Sequence, residues 1–275
     1  MQWVNGQPSA TVPITDRGLQ FGDGCFTTGQ SAQGVLQQAD AHFERLMKTC
    51  QQLAIDGVDW LRLQQTVAHA CAQSNQEQVV KIVITRGQGG RGYSPAGCQQ
   101  PTDIVTLHAF PQHYYQWQQH GISLATTERQ LGASPLVGLK HLNRLEQVLL
   151  KRELDQRNKL SSATVDDLVV CDLFGNLVET TASNLFWRQG ADVYTPALRY
   201  AGVDGLMRQR VIAMLEEIPG YRCHLVQQGP DVLDQAEEVF ITNTLMKVVP
   251  VNHIDHISYS DHTLASALRQ RLNAC

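Results

Sequence analysis

Short runs of β-branched and apolar residues recur along this chain and alternate with stretches of helical period. No other feature limits the fold as much. VVKIVITR (79–86) and DIVTLHAF (103–110) read as strands, and FTTGQSAQGVLQQ reads as two extended runs around a Ser-Ala-Gln-Gly turn. Asp40 is placed to cap a helix whose Phe43, Leu46, Met47, Cys50, Leu53 and Ala54 keep the 3.6-residue period, and a second helix is expected over 61–72. PQHYYQWQQHG (111–121) shows neither period and is expected to link two lobes. Beyond it GISLATTE, ATVDDLVVCD, NLFWRQ, DVYT, YRCHLVQ and EVFITN read as strands, and 205–217 and 262–272 as helices. Asn143 followed by Glu146 has the form of a capping box, opening a helix with Leu142, Leu145, Val148 and Leu149 on one side. The expectation is an α+β chain in two lobes: a smaller one over 1–110, the linker 111–121 and a larger one over 122–275.

The 275 residues are enough to bury a real core, about 75% of the unfolded surface for chains near this size. A net charge of −4 argues against a nucleic-acid footprint, which needs clustered excess Lys and Arg. There is no run of about 20 apolar residues, so no membrane span is expected, and the first residues lack the basic and apolar regions of a signal peptide. The seven cysteines, Cys25, Cys50, Cys71, Cys98, Cys171, Cys223 and Cys275, are odd in number and scattered. They suit reduced, mostly buried thiols in a cytoplasmic protein. His253 and His256, three apart with no Cys or carboxylate partner in metal-site spacing, give no metal site.

Several segments carry chemistry only conditionally. Gly87, Gly89 and Gly92 in RGQGGRGY match a dinucleotide fingerprint, but YSPAGCQQP follows and cannot open the long helix that fingerprint needs. What remains is a flexible loop bearing Arg86, Arg91 and Tyr93, either a solvated turn or an anion clamp. Lys140 stands just before the proposed helix in LVGLKHLNRLEQVLL; such a lysine is usually at the surface, and becomes a nucleophile only where desolvation lowers its pKa. Glu179 in GNLVETTASNLFW is a carboxylate among small hydroxyl residues at a strand end, open to a ligand hydrogen bond or to an ordinary turn. Two donor-rich turns, AGVDG before a helix and TNT after EVFI, are possible anion cups or ordinary caps.

Taken together and in order, these motifs resemble the fold type IV pyridoxal-phosphate enzymes, the group of branched-chain aminotransferases, D-amino-acid aminotransferases and aminodeoxychorismate lyases. The resemblance runs from DRGLQFGDGCFTT to TNTLMKVVPV. It implies a two-lobed fold with pyridoxal 5'-phosphate at the interface of the lobes. Arg45 in HFERL matches the cofactor-phosphate arginine, Lys140 the lysine that carries the cofactor, and Glu179 the carboxylate facing the pyridine nitrogen. Gly202, Val203 and Asp204, with Thr242, Asn243 and Thr244, match the two phosphate-facing turns. FGDGCFTT, RGQGGRGYSP and KHLNRLEQ are most similar to the lyase branch. That implies conversion of 4-amino-4-deoxychorismate to 4-aminobenzoate and pyruvate in folate biosynthesis, with Lys140 as base and Thr28, Arg91 and Tyr93 gripping the substrate. An aminotransferase acting on D-amino or branched-chain amino acids is the alternative, because fold and cofactor do not fix the reaction. A homodimer is also implied.

Overall fold

Each strand expected from a β-branched run forms, and the strands assemble into two separate sheets. The computed structural model describes residues 1–98, 100–161 and 163–274. The chain divides into two units, one of Met1–Pro111 with Leu139–Asn143 and the other of Gln112–Gly138 with Arg144–Cys275.

The first unit holds β1 (Gln2–Val4), β2 (Gln7–Pro8), α1 (Arg17–Phe21), β3 (Gly24–Ala32), β4 (Val35–Leu36), α2 (Ala39–Gln52), α3 (Trp60–Cys71), β5 (Gln78–Thr85) and β6 (Thr102–Ala109). Its six strands run β2-β1-β6-β5-β3-β4, with every neighbouring pair antiparallel. The expected hairpin closes on Gln33 and Gly34, both at positive φ, the two-residue turn whose twist matches that of the strands it joins. Successive β3 side chains face opposite ways. Cys25 and Thr27 are buried and reach Cys50 and His42 of α2, whereas Phe26 and Thr28 stay half-buried on the other face. Leu46, Leu63, Ile82, Ile84 and Val105 form the core between helices and sheet, each burying a side chain at about 1.5–3 kcal/mol. Helix α2 starts two residues earlier than the Asp40 cap requires. Its N-cap is Gln38 at φ 55°, without a side-chain cap, and Asp40 lies in the first turn, where its charge still suits the helix dipole.

The second unit holds α4 (His113–His120), β7 (Ile122–Leu131), α5 (Leu145–Leu160), β8 (Asp167–Asp172), β9 (Leu177–Thr180), β10 (Asn184–Gln189), β11 (Asp192–Pro196), α6 (Leu206–Glu217), β12 (Arg222–Val226), β13 (Glu238–Asn243), β14 (Lys247–Ile254), β15 (Ile257–Ser258) and α7 (Thr263–Ala274). The sheet runs β12-β11-β10-β13-β14-β7-β8-β9, with β15 added to β14. Its central strands are apolar on both faces. Leu185 and Trp187 pack into one cluster, and Phe186 stacks on Phe240 at 5.0 Å in another, covered by α6 and α7. The expected strands and the helices near 205–217 and 262–272 are all present. His253 lies on β14 and pairs with Ser258 of β15.

Two local readings are corrected. The stretch 111–121 contains helix α4. Its Tyr114 and Trp117 pack on the sheet cluster, and Asn252 Nδ2 and Gln118 Nε2 bond His120 O and Met246 O. These are tertiary partners that no local period announces. The capping box does not form either. Arg144 is the N-cap of α5 without a side-chain bond, the Glu146 carboxylate instead accepts the Gly132 N–H at 2.9 Å, and Asn143 donates to Gly22 O. The buried positions of α5 are Leu150 and Leu154, while Leu145 and Val148 are 70% and 60% exposed.

Candidate active site

In the first unit, residues 139–142 dock along β3. Phe26 N–H donates to Lys140 O at 2.9 Å and Leu142 N–H to Gly24 O at 3.0 Å, which fixes Lys140 beside the half-buried face of the strand. The Lys140 ammonium is half-buried and stands 4.7 Å from the Phe26 ring centroid. Lys81, across from Thr28 in register, brings a second ammonium 5.1 Å from the same ring. A ring face stabilises a cation by about 0.5–2 kcal/mol, so Phe26 seats two positive charges close to Thr28. Sequence reading missed both Phe26 and Lys81, which look like ordinary strand residues. Arg45 is half-buried on α2, one turn after His42. Arg91 and Tyr93 are exposed on the glycine-rich loop, Tyr93 at 88%.

His42 backs this arrangement. It is 1% exposed, and its Nδ1 lies 2.6 Å from the Thr27 hydroxyl. Burial first, and then the charge of Arg45, push its pKa down from 6.5 to about 4. The unfolded histidine binds a proton through that interval while the folded one does not. Stability is therefore complete above about pH 6.5 and falls as pH drops towards 4, by roughly 3 kcal/mol in total. Urea unfolding should show this loss between pH 7 and 5 in the wild type and a flatter profile in His42→Gln. Parallel profiles for the two proteins would remove His42 as the cause.

In the second unit, Glu179 is 5% exposed on β9, opposite Val170 of β8. Its Oε2 accepts the Val203 N–H at 2.9 Å. Gly202, at φ 94°, makes that approach possible, since a Cβ there would lie 2.6 Å from Val178 and 2.7 Å from Leu198. The turn is further held by Gly138, which donates to Gly202 O and accepts from Asp204 N, and by Asn184 Nδ2 on Val203 O at 2.8 Å. Val203 and Asp204 thus use their amides within the protein, contrary to the expectation of a free N–H cup at those two positions. Donors at the head of α6 itself, Gly205 and Leu206, belong to the first-turn amides that a helix cannot bond internally. The Asp204 carboxylate holds Arg208 at 2.7 Å.

Thr242 pairs with Asn184 across the sheet, so Asn184 touches both turns, a link no sequence motif announced. The Thr242 hydroxyl is wholly buried and has no partner among the described residues, which leaves it ready for a ligand atom. Asn243 serves the turn itself: its Oδ1 accepts from Leu245 and Met246 N–H at 2.9 Å, and its Nδ2 donates to Ser183 Oγ. Thr244 is half-buried beside it. Arg144 adds a guanidinium whose pKa burial lowers, opposed by the carboxylates of Glu179 and Glu146.

Comparison with known proteins agrees with this frame. The family model described as amino-transferase class IV matches residues 24–254. An aminodeoxychorismate lyase of Vibrio harveyi is 39% identical over 255 residues, 92% of this chain and 91% of that protein. A D-alanine aminotransferase of Bacillus licheniformis is 29% identical over 257 residues, 89% and 83% of the two chains. The crystal structure of 4-amino-4-deoxychorismate lyase from Pseudomonas aeruginosa superposes with a TM-score of 0.90 at 32% identity, covering 100% of this chain and 98% of that one. The fold is that of the fold type IV aminotransferases. On a family match that spans most of its length, the chain belongs to the class IV aminotransferase family.

Proposed function

We propose that the protein is a pyridoxal-phosphate-dependent lyase that converts 4-amino-4-deoxychorismate to 4-aminobenzoate and pyruvate, a step of folate biosynthesis. The observation that carries the reading is the 39% identity to the Vibrio harveyi lyase over 92% of the chain. The residues present fit the cofactor: Thr242 offers a buried hydroxyl without a partner among the described residues, and Glu179 is a sheltered carboxylate with one oxygen anchored by Val203. Bound pyridoxal phosphate supplies an electron sink beside the substrate amine.

Lys140 would hold the cofactor and would serve as general base toward the proton at substrate C4. Loss of that proton with cleavage of the C3–O bond leaves the ring aromatic and releases the enol of pyruvate, which takes up a proton at its methylene carbon to become pyruvate. Glu179 keeps a proton at the pyridine nitrogen. Arg45, Thr242 and Thr244 would hold the phosphate, with Gly202, Val203, Asp204 and Asn243 shaping the phosphate-facing turns. Thr28, Arg91 and Tyr93 hold the substrate carboxylates and orient the leaving group.

Incubation with 4-amino-4-deoxychorismate is expected to yield 4-aminobenzoate and pyruvate with no 2-oxo acid present. A strict requirement for such an acceptor would make the protein an aminotransferase instead. A homodimer and a cytoplasmic location belong to the same proposal. The exposed Leu145 and Val148 support the first. The second is supported by Cys25 and Cys50, whose thiols lie unbridged 3.8 Å apart, and by the other described cysteines, all free; Cys275 lies outside the described residues. A single-chain mass by light scattering would reject the dimer, and recovery outside the cytoplasm on fractionation would reject the location.

A further inference from the structure

The glycine-rich loop after β5 is tied down by one buried side chain, and it is tied through its backbone. Arg17, at the start of α1, is 4% exposed. Its Nη1 donates to Gly92 O at 2.9 Å and Ser94 O at 3.3 Å, its Nη2 to Tyr93 O at 3.1 Å, and its Nε to Asp23 at 2.9 Å. One guanidinium therefore gathers three consecutive carbonyls. Neighbouring residues secure the stems. Arg17 N–H donates to Gly87 O, Thr15 Oγ1 to Gln88 Oε1 at 2.6 Å, and Asp16 Oδ2 accepts from Thr85 and Thr102 at 2.9 and 2.8 Å.

Such a loop needs this help. Gly87, Gly89, Gly90 and Gly92 all stand at positive φ, and glycine loses more chain freedom on ordering than any other residue. Gripping the carbonyls orders the backbone without engaging the side chains of Arg91 and Tyr93, which remain exposed. The Arg17 guanidinium also lies 4.8 Å from the Phe21 ring, and Phe21 meets the Tyr93 ring at 5.5 Å, so the same group backs the surface on which Tyr93 leans. Asp23 is shared with Arg86, whose remaining N–H groups bond Leu53 O and Ala54 O just beyond α2. Burial would raise the Asp23 carboxyl, but hydrogen bonds to Arg86 and Arg17 hold it below the usual range, so the clamp stays charged at neutral pH.

We propose that Arg17, through Asp23 and the carbonyls of 92–94, is the positioning residue that presents Arg91 and Tyr93 to the substrate. The inference rests on the lyase reading for the identity of that substrate. Lysine cannot replace the fork, because a point charge cannot span three carbonyls.

The test uses pyridoxal-phosphate-loaded protein and two variants. Arg17→Lys removes the fork. Gly90→Ala disturbs the same contact from the loop side, since its Cβ would fall 2.2 Å from Ser94 O and 3.0 Å from Arg17 Nη1. Amide exchange in 87–94 is expected to rise by roughly 10-fold in both, with KM for 4-amino-4-deoxychorismate up about 10-fold, kcat within about 3-fold, and cofactor affinity unchanged. Unchanged exchange in the two variants would overturn the clamp. Faster exchange with an unchanged KM, or a fall in cofactor affinity parallel to the rise in KM, would overturn the positioning role. Failure of the lyase reading shows separately, as a wild type without turnover of this substrate, while the exchange comparison still judges the clamp.

Discussion

Lys140→Ala is expected to lose the visible absorption of the bound cofactor and to lower turnover by at least about 10⁴-fold, because one amine serves as both covalent anchor and base. The fold should survive the change. The segment is docked by backbone bonds, Phe26 N–H to Lys140 O and Leu142 N–H to Gly24 O, and truncation beyond Cβ leaves both intact. The Phe26 ring loses one of its two cations, and Lys81 remains on it. Lys140→Arg keeps a positive charge there but has no amine to offer, so it should be as inactive as the alanine variant. Turnover within about 10-fold of wild type in either protein would remove Lys140 from the chemistry.

The second large effect belongs to Glu179. Alanine would leave the Val203 N–H without its acceptor inside the protein, at a cost of about 1–3 kcal/mol, and would take away a carboxylate that balances buried Arg144. Glu179→Gln separates stability from chemistry, because the amide oxygen can still accept from Val203 while the side chain no longer provides a carboxylate to hold a proton at the pyridine nitrogen. Turnover should fall roughly 10²–10³-fold in the glutamine variant, with the visible band retained and thermal stability close to wild type. Loss of the band along with activity would mean that Glu179 acts by holding the cofactor in place. Unchanged turnover would mean that it has been assigned the wrong role.

Much of the architecture was legible because its signals are local. NLFWRQ and EVFITN are apolar on both faces, and they form central strands whose side chains enter separate core clusters. The hairpin after β3 could be read because Gln33-Gly34 carries the positive φ values that its turn requires. Helix ends were less legible. Asp40 and Asn143 are good caps in isolation, yet α2 begins from Gln38, and Asn143 is drawn to Gly22 while Glu146 serves Gly132. For Asn143 and Glu146 a partner far along the chain outcompeted the local one. The helix inside 111–121 went unread because α4 is held by Tyr114, Trp117 and side-chain bonds with distant residues.

The sequence by itself determined which chemical groups this protein has, in an order that marks the family: Arg45, Lys140, Glu179 and the two turns. It also determined the strands and helices that carry them, because period and propensity act between near neighbours. Only the tertiary structure decided which of those groups remain available. It gave the Val203 amide to Glu179, committed Asn243 to its own turn, left the Thr242 hydroxyl buried without a partner among the described residues, and set Lys140 above Phe26. It also turned Arg17, one residue of a short helix, into the clamp of a loop some seventy-five positions away. Hydrogen bonds between distant residues depend on where two backbones meet, and no local pattern encodes that meeting.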